Sequence, residues 1–356
     1  MKRPLGSFLL LLRLGVVFTG CARIDRETAA GKKDKEDKIQ IGLCFDSFVI
    51  ERWQRDRDIF VSMAKELGAE VNVQNANGDI EEQRKQIDYF IDKDMDVIVI
   101  ICIDSGSEYD CVKKAKDADI KVIAYDRLIL NADVDLYISF DNEMVGAMMG
   151  EAFVEKGIEG GNVLMLGGSA ADHNVSLVEE GFRKVMADHD ITILDSMHAD
   201  GWKAELASSY IDDHMELVSR TDAIMCGNDD LASKVVHNLK EKRMAGDILV
   251  AGQDADLEAC QRIVEGTQVM TVYKPVEKLA QKAAECAVKL AKGEELEGTV
   301  LLNDGTYEVP YIGLEPISVS EDNINEVIIG SGFHLKEDVY LNVPSNMPNG
   351  DIKTGK

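Results

Sequence analysis

Two rhythms take turns along this chain. Short apolar runs at residues 39–45, 70–74, 96–102, 121–125 and 136–140 have the length and composition of buried strands, and stretches with apolar residues every three to four positions separate the first four. In the first such stretch Phe60, Met63, Ala64 and Leu67 share one helical face, and Gly68 supplies the left-handed turn that ends it. The rhythm then restarts. Strands are expected at 162–166, 192–197, 222–226, 247–251 and 268–273, with helices at about 143–155, 176–187, 204–219, 231–242 and 257–265. Strand–helix alternation with short connections is the pattern of a parallel sheet covered on both faces, and its repetition predicts an α/β protein of two doubly wound lobes with a cleft between them. Asp141-Asn142, after the fifth strand, is the expected crossing between the halves. Pro275 opens a further helix to about residue 292, whose docking site periodicity does not give.

Length agrees with two lobes, since 356 residues exceed what one apolar core usually supports. Charge removes one class of function. With 39 basic against 65 acidic residues the formal charge is -26, the wrong sign for a free-standing nucleic-acid binder. The start of the chain reads differently from the rest. Lys2 and Arg3 precede an apolar run at 8–18 that is too short to span a bilayer, which predicts a signal peptide over 1–20. Thr19-Gly20-Cys21 looks like the end of a lipobox, making Cys21 the expected lipid anchor to a membrane. Residues 21–37 hold the run K-K-D-K-E-D-K without apolar periodicity and read as a solvated tether, while 342–356 read as a loose tail. The other six cysteines form no C-x-x-C and are expected as buried thiols rather than disulfides or metal ligands.

The candidate chemistry sits just after the apolar strands. Asp126-Arg127 follow the strand at 121–125, Asp172 and Asn174 follow Gly-Gly-Ser, Asn228-Asp229 follow Met-Cys-Gly, and Gln253-Asp254 follow Val-Ala-Gly. In an open parallel sheet ligands bind at the carboxyl ends of the strands. Adjacent carboxylate and guanidinium or amide groups suit a polyhydroxylated neutral ligand, because each hydroxyl needs both an acceptor and a donor once it leaves water. The two tryptophans, Trp53 at a helix start and Trp202 after Asp-Gly, offer flat apolar faces for the C–H side of a sugar ring. Asp141, Asp229 and Asp256 are expected to cap helices or brace the crossing, and Glu51 and Asp230 to lie at the surface.

The wider motifs E-R-W-Q-R-D-R-D-I-F, A-Y-D-R, Y-I-S-F-D-N-E, D-G-W, G-Q-D-A-D-L and M-T-V-Y-K-P, with I-I-G-S-G-F-H near the end, are similar to the D-xylose-binding proteins of bacterial ABC importers, within the type I periplasmic sugar-binding superfamily. The resemblance runs from about residue 38 to about 335. It implies two lobes joined by a three-stranded hinge, an N-terminal lobe of 38–142 plus 275–305 and a C-terminal lobe of 143–274 plus 306–341. It implies D-xylose or a related monosaccharide as ligand and an ABC permease as partner, with no catalysis, cofactor or metal. By motif, Arg52, Trp53, Asp126 and Arg127 would contact sugar from the first lobe, and Asp172, Asn174, Trp202, Asn228, Asp254 and Lys274 from the second lobe and hinge. The same fold could instead report sugar to a membrane histidine kinase. A sugar-responsive repressor would need an N-terminal helix-turn-helix, which residues 1–37 do not encode. A glycoside hydrolase would need a proton-bearing carboxyl, whereas these carboxylates have donors beside them in the motifs.

Overall fold

The structure is a computed structural model and describes residues 38–348. The expected signal peptide and tether, with Cys21, fall outside the described residues. The first half runs β1 (Gln40–Phe45), α1 (Arg52–Glu66), β2 (Glu70–Asn75), α2 (Ile80–Asp92), β3 (Val97–Ile100), α3 (Tyr109–Asp117), β4 (Lys121–Tyr125) and β5 (Leu136–Phe140). The second repeats it with α4 (Asn142–Glu155), β6 (Asn162–Gly167), α5 (His173–Asp188), β7 (Thr192–His198), α6 (Glu205–Asp213), α7 (Met215–Val218), β8 (Ala223–Cys226), α8 (Asp229–Glu241), β9 (Leu249–Gln253), α9 (Leu257–Glu265) and β10 (Met270–Tyr273). The chain closes with α10 (Val276–Ala291), β11 (Val300–Asn303), β12 (Glu308–Leu314), β13 (Ile317–Ser320) and α11 (Lys336–Val339).

Two sheets result. The first has the order β11-β12-β5-β4-β3-β1-β2 and the second β13-β10-β9-β8-β6-β7. Only β11 and β13 run antiparallel to their neighbours. Within each, the five strands of one repeat share one order, so strand order reverses beside β1 in the first sheet and beside β6 in the second. That reversal opens the crevice in which doubly wound sheets bind ligands. The chain passes between the sheets three times, after β5, after β10 and after β12. Two of the passages are tied together, since the Asp141 amide donates to the Leu314 carbonyl at 3.0 Å.

Buried positions follow the periodicity. Phe60 and Ala64 of α1 are buried, and Leu279, Ala283, Cys286 and Ala287 of α10 form the apolar stripe that lays this helix against α1 and the first sheet. One apolar cluster then continues from Leu43, Val99 and Ala283 to Leu166, Ile224 and Val235 on the second sheet. Gly68 has φ +86° and ends α1 as expected. All six described cysteines are free and buried.

Three expectations need correction. The segment from 306 was assigned with the second half, but β12 pairs with β5 in register Tyr311–Tyr137 to Leu314–Phe140, so the last crossing comes only after Leu314. The helix expected over 204–219 is broken at His214, whose ring stacks on Tyr210 at 4.2 Å and whose Nδ1 lies 2.9 Å from the Tyr210 carbonyl, pulling the backbone to φ -120°. The tail expected to be loose from 342 stays packed beyond that point, because Val343 and Met347 cover the cluster around Val319, Ile324 and Tyr340.

Candidate functional site

The cavity follows from what happens where the strands stop. After β4 the chain makes a one-residue reversal: Asp126 has φ +63°, its amide donates to the Ile138 carbonyl at 2.8 Å, and the Arg127 amide donates to Tyr125 at 2.7 Å. After β9 the same device recurs in the other sheet. Asp254 has φ +99°, Ala255 has φ +57°, and the Asp254 amide donates to the Val272 carbonyl at 2.8 Å. A third left-handed stretch, Gly201 at +60° and Trp202 at +58°, turns the indole back toward β6. Non-glycine residues held at positive φ cost on the order of 1–3 kcal/mol each, and such conformations cluster at ligand sites.

These turns enclose a small cavity between the sheets, at the crevice where doubly wound sheets bind ligands. Arg52, Trp53, Asp126 and Arg127 line it from the first sheet, and Asp172, Asn174, Trp202, Asp254 and Lys274 from the second sheet and the crossing. Asn228, the tenth expected residue, does not line it. It is buried beside Gly227, where its Oδ1 accepts from the Leu231 amide at 3.0 Å and caps α8. Gly227 does line the wall, and a side chain there would strike the backbone of Gly167 and Gly168.

Buried ion pairs hold the wall together. Arg52 donates to Asp126 at 2.7 Å and to Asp56 at 3.2 Å, and reaches to 3.8 Å from Asp254 on the other sheet. Arg127 bonds Asp46 at 2.8 Å through Nη1 and Asp172 at 2.8 Å through Nε. Lys274 Nζ lies 2.9 Å from Asp254 Oδ1. Asn174 donates to the Asp126 carbonyl at 3.0 Å. Arg127 with Asp172, Arg52 with Asp254, and Asn174 with Asp126 therefore each join one sheet to the other across the cavity.

The environments set the charge states. Burial alone would raise Asp126, but the Arg52, Lys274 and Arg127 cations outweigh it and hold the carboxyl below the usual aspartate value. For Asp172 burial wins over the single guanidinium of Arg127 and the value is raised. Burial raises Asp56 as well, against the pull of Arg52. Both arginines are held above the ordinary guanidinium value, because their carboxylate partners more than offset desolvation.

Among the described residues, seven buried side-chain polar atoms lack a hydrogen-bond partner, and six of them lie in or next to the site: Asp46 Oδ1, Trp53 Nε1, Trp202 Nε1, Asn228 Nδ2, Gln253 Oε1 and Asp254 Oδ1. Asp254 Oδ1 has Lys274 near it but no directed hydrogen bond. Folded proteins pair nearly all such atoms; those of Trp53, Trp202, Gln253 and Asp254 belong to residues that line the cavity, and those of Asp46 and Asn228 lie just behind it, a concentration that suits a polar ligand. They include both donors and acceptors, the mixture that hydroxyls need. The tryptophans differ from each other. Arg52 lies over the Trp53 ring at 4.4 Å, whereas the Trp202 ring lies directly against Gly168.

Sequence reading passed over Asp46 and Asp56 as site residues, and noted Gln253 as part of a polar strand end without giving it a ligand contact. Asp46 is the first polar residue after β1, so the strand-end rule applied to the other strands would have found it. Asp56 follows Arg52 by four residues on α1, which puts both on one helical face. Of the expected caps, Asp141 accepts from the Met144 amide at 2.9 Å. Asp229 instead points inward and accepts from Thr271 Oγ1 at 2.6 Å and Gln268 Nε2 at 2.8 Å. Asp256 occupies the α9 cap position without a side-chain cap bond. Asp230, expected at the surface, is partly buried and raised to about 6 by burial and by the charges of Asp254, Glu51 and Glu258.

Residues 41–295 match the model of a periplasmic binding protein domain. The chain belongs to the periplasmic binding protein family. Within that family it is 44% identical over 307 residues to a D-xylose-binding periplasmic protein of Haemophilus influenzae, covering 85% of this chain and 92% of the relative. It is 41% identical to the D-xylose-binding periplasmic protein of Escherichia coli, covering 85% and 93%. Among solved structures, an ABC transporter solute-binding protein from Clostridium phytofermentans with bound β-D-glucose superposes with a TM-score of 0.76 at 27% identity, over 84% of this chain and 99% of that one. The architecture of two similar sheets with covering helices is thus that of periplasmic binding proteins. Solute binding, not catalysis, is what these relatives do.

Proposed function

We propose that this chain captures D-xylose, or a closely related aldopyranose, between two lobes and presents it to an ABC sugar permease. The observation that carries the reading is the set of unpaired buried donors and acceptors around a cavity flanked by two indoles. Paired carboxylates accept from hydroxyls while Arg52, Arg127, Lys274 and Asn174 donate, and hydrogen bonds to charged groups contribute about 1.5 to 3 kcal/mol each. The names of the two D-xylose-binding relatives described above support xylose over other solutes. The lobes of this reading are residues 38–141 with 275–314 and residues 142–274 with 315–341, closing about the three crossings. Asn228 supports the wall by capping α8 behind Gly227. Cys21 carries the lipid that keeps the mature protein at a membrane.

Calorimetric titration of protein lacking its first 31 residues against D-xylose, D-ribose, L-arabinose, D-glucose and myo-inositol tests the reading. D-xylose should bind most tightly with one site per chain. Absence of binding to D-xylose alongside tight binding of another solute would overturn it.

A further inference from the structure

Gln253 ends β9, lines the cavity and is 5% exposed, yet only half of its amide has a partner. Its Nε2 donates to the Gly227 carbonyl. A carbonyl can only accept, so the amide is fixed with nitrogen toward Gly227, and Oε1 remains as a buried acceptor without a donor. The neighbouring Asn228 is fixed the opposite way. The Leu231 amide can only donate, so Asn228 Oδ1 faces the helix and Nδ2 is left as a free donor. Two amides on either side of Gly227 therefore present one acceptor and one donor, each with its orientation set by the backbone.

We infer that Gln253 is a specificity-determining residue: its Oε1 accepts a hydrogen bond from one particular ring hydroxyl of the bound sugar. This rests on the sugar-binding function proposed above. The chemistry differs from that of the other acceptors. Asp126, Asp172 and Asp254 are carboxylates already engaged by cations, and they can accept from hydroxyls in several directions. The Gln253 oxygen is neutral, has no other partner, and cannot turn away without releasing Gly227. A sugar lacking the matching hydroxyl leaves this acceptor buried and unpaired, which is the circumstance under which a binding site discriminates most sharply against an analogue. Gly227 is part of the device. Its own amide donates to the Leu166 carbonyl at 2.7 Å, so the carbonyl that orients Gln253 is itself anchored to β6.

The test is a cycle of two protein variants against the 2-, 3- and 4-deoxy analogues of D-xylose, read by calorimetry. In the wild type, one deoxy sugar should bind on the order of ten- to a hundred-fold more weakly than expected from loss of an exposed hydroxyl. Gln253→Met, similar in shape but without the acceptor, should weaken D-xylose by a comparable factor and abolish the penalty for that one analogue alone. Gln253→Glu keeps an acceptor but cannot donate to Gly227 and so loses the anchor that aims it; it should blunt the discrimination against that one analogue without abolishing it. A purely structural role predicts the reverse pattern, with both variants weakening every sugar equally and no analogue singled out. That result overturns the inference while leaving xylose binding intact. Failure of the wild type to bind any of these sugars instead removes the functional reading on which the inference rests.

Discussion

Replacing Asp254 by alanine is the perturbation whose size the structure fixes most closely. The carboxylate is buried, 2.9 Å from Lys274 Nζ and 3.8 Å from Arg52 Nη1, and the Lys274 side chain is only 8% exposed. Removing it deletes an acceptor for the ligand and leaves Lys274 with only the Asp126 carboxylate, already paired with Arg52, to offset its charge. Loss of one charged hydrogen bond accounts for about 1.5 to 3 kcal/mol. Breaking a buried pair by deleting one partner costs about 3 to 5 kcal/mol, because the remaining charge stays desolvated. In the proposed open state water reaches Lys274, so this second cost falls on closure and therefore on binding. The two costs overlap, since both count the same lost carboxylate, so the larger sets the estimate and affinity for xylose should drop roughly 150- to 5,000-fold while the unliganded fold survives. Calorimetric titration gives the loss, and far-ultraviolet circular dichroism with thermal unfolding checks the fold. Adding Lys274→Met removes the stranded cation, so the double variant should bind more tightly than Asp254→Ala alone. A loss below ten-fold in a folded single variant, or a double variant that binds still more weakly by the full sum of both changes, would refute the argument.

Three further outcomes follow from other parts of the site. Gly168→Ala places a methyl where the Trp202 ring lies, so the indole must move into the cavity; xylose affinity should fall by about 1–3 kcal/mol in titration while the unliganded thermal midpoint stays close to wild type. Glu51, at the start of α1, brings its charge toward Asp230 and Asp256 on the other sheet, and both of these are raised by burial and by surrounding carboxylates, Asp230 to about 6. The closed form then binds more protons than a hydrated open form between the usual aspartate value and about pH 6, so closure is favoured as pH falls through that window. Affinity should rise from pH 8 to pH 5.5, titrations in buffers of different ionisation enthalpy should show proton uptake, and Asp230→Asn should reduce both; net proton release would contradict the sign. Cys21→Ser should free the protein from membrane fractions, and unchanged retention with no lipid on the mature N-terminus would remove the anchor from the proposal.

Much of this was legible in the chain because parallel sheets leave strong local marks. Leu136–Phe140 is apolar but for Ser139 and bounded by Asp135 and Asp141, and its limits match the expectation residue for residue. Asp126 was readable because a core strand cannot tolerate a charge, so Asp126 had to stand at its end. What stayed hidden depends on pairing rather than on pattern. The Val300–Asn303 and Glu308–Leu314 strands join the first sheet through a register with β5 that periodicity does not encode. Asp229 reads as a helix start from its neighbours, yet Thr271 and Gln268, some forty residues away, draw it inside. The break at His214 depends on a ring turning back onto Tyr210, which no window of helical periodicity registers.

The pairing of every cavity cation with a carboxylate has a consequence for how such a receptor meets its surroundings. Arg52, Arg127 and Lys274 have their counter-charges built in at 2.7 to 2.9 Å, so an incoming neutral sugar neither recruits nor expels mobile ions. Screening by dissolved salt acts on charges separated by more than a few ångströms of water, and each of these cations sits in contact with its counter-charge. Capture should therefore proceed with nearly the same affinity in dilute and in brackish media, although the chain as a whole carries a formal charge of -26. The surface answers to the ionic strength outside; the ligand encounters an electrostatic interior that does not change with it.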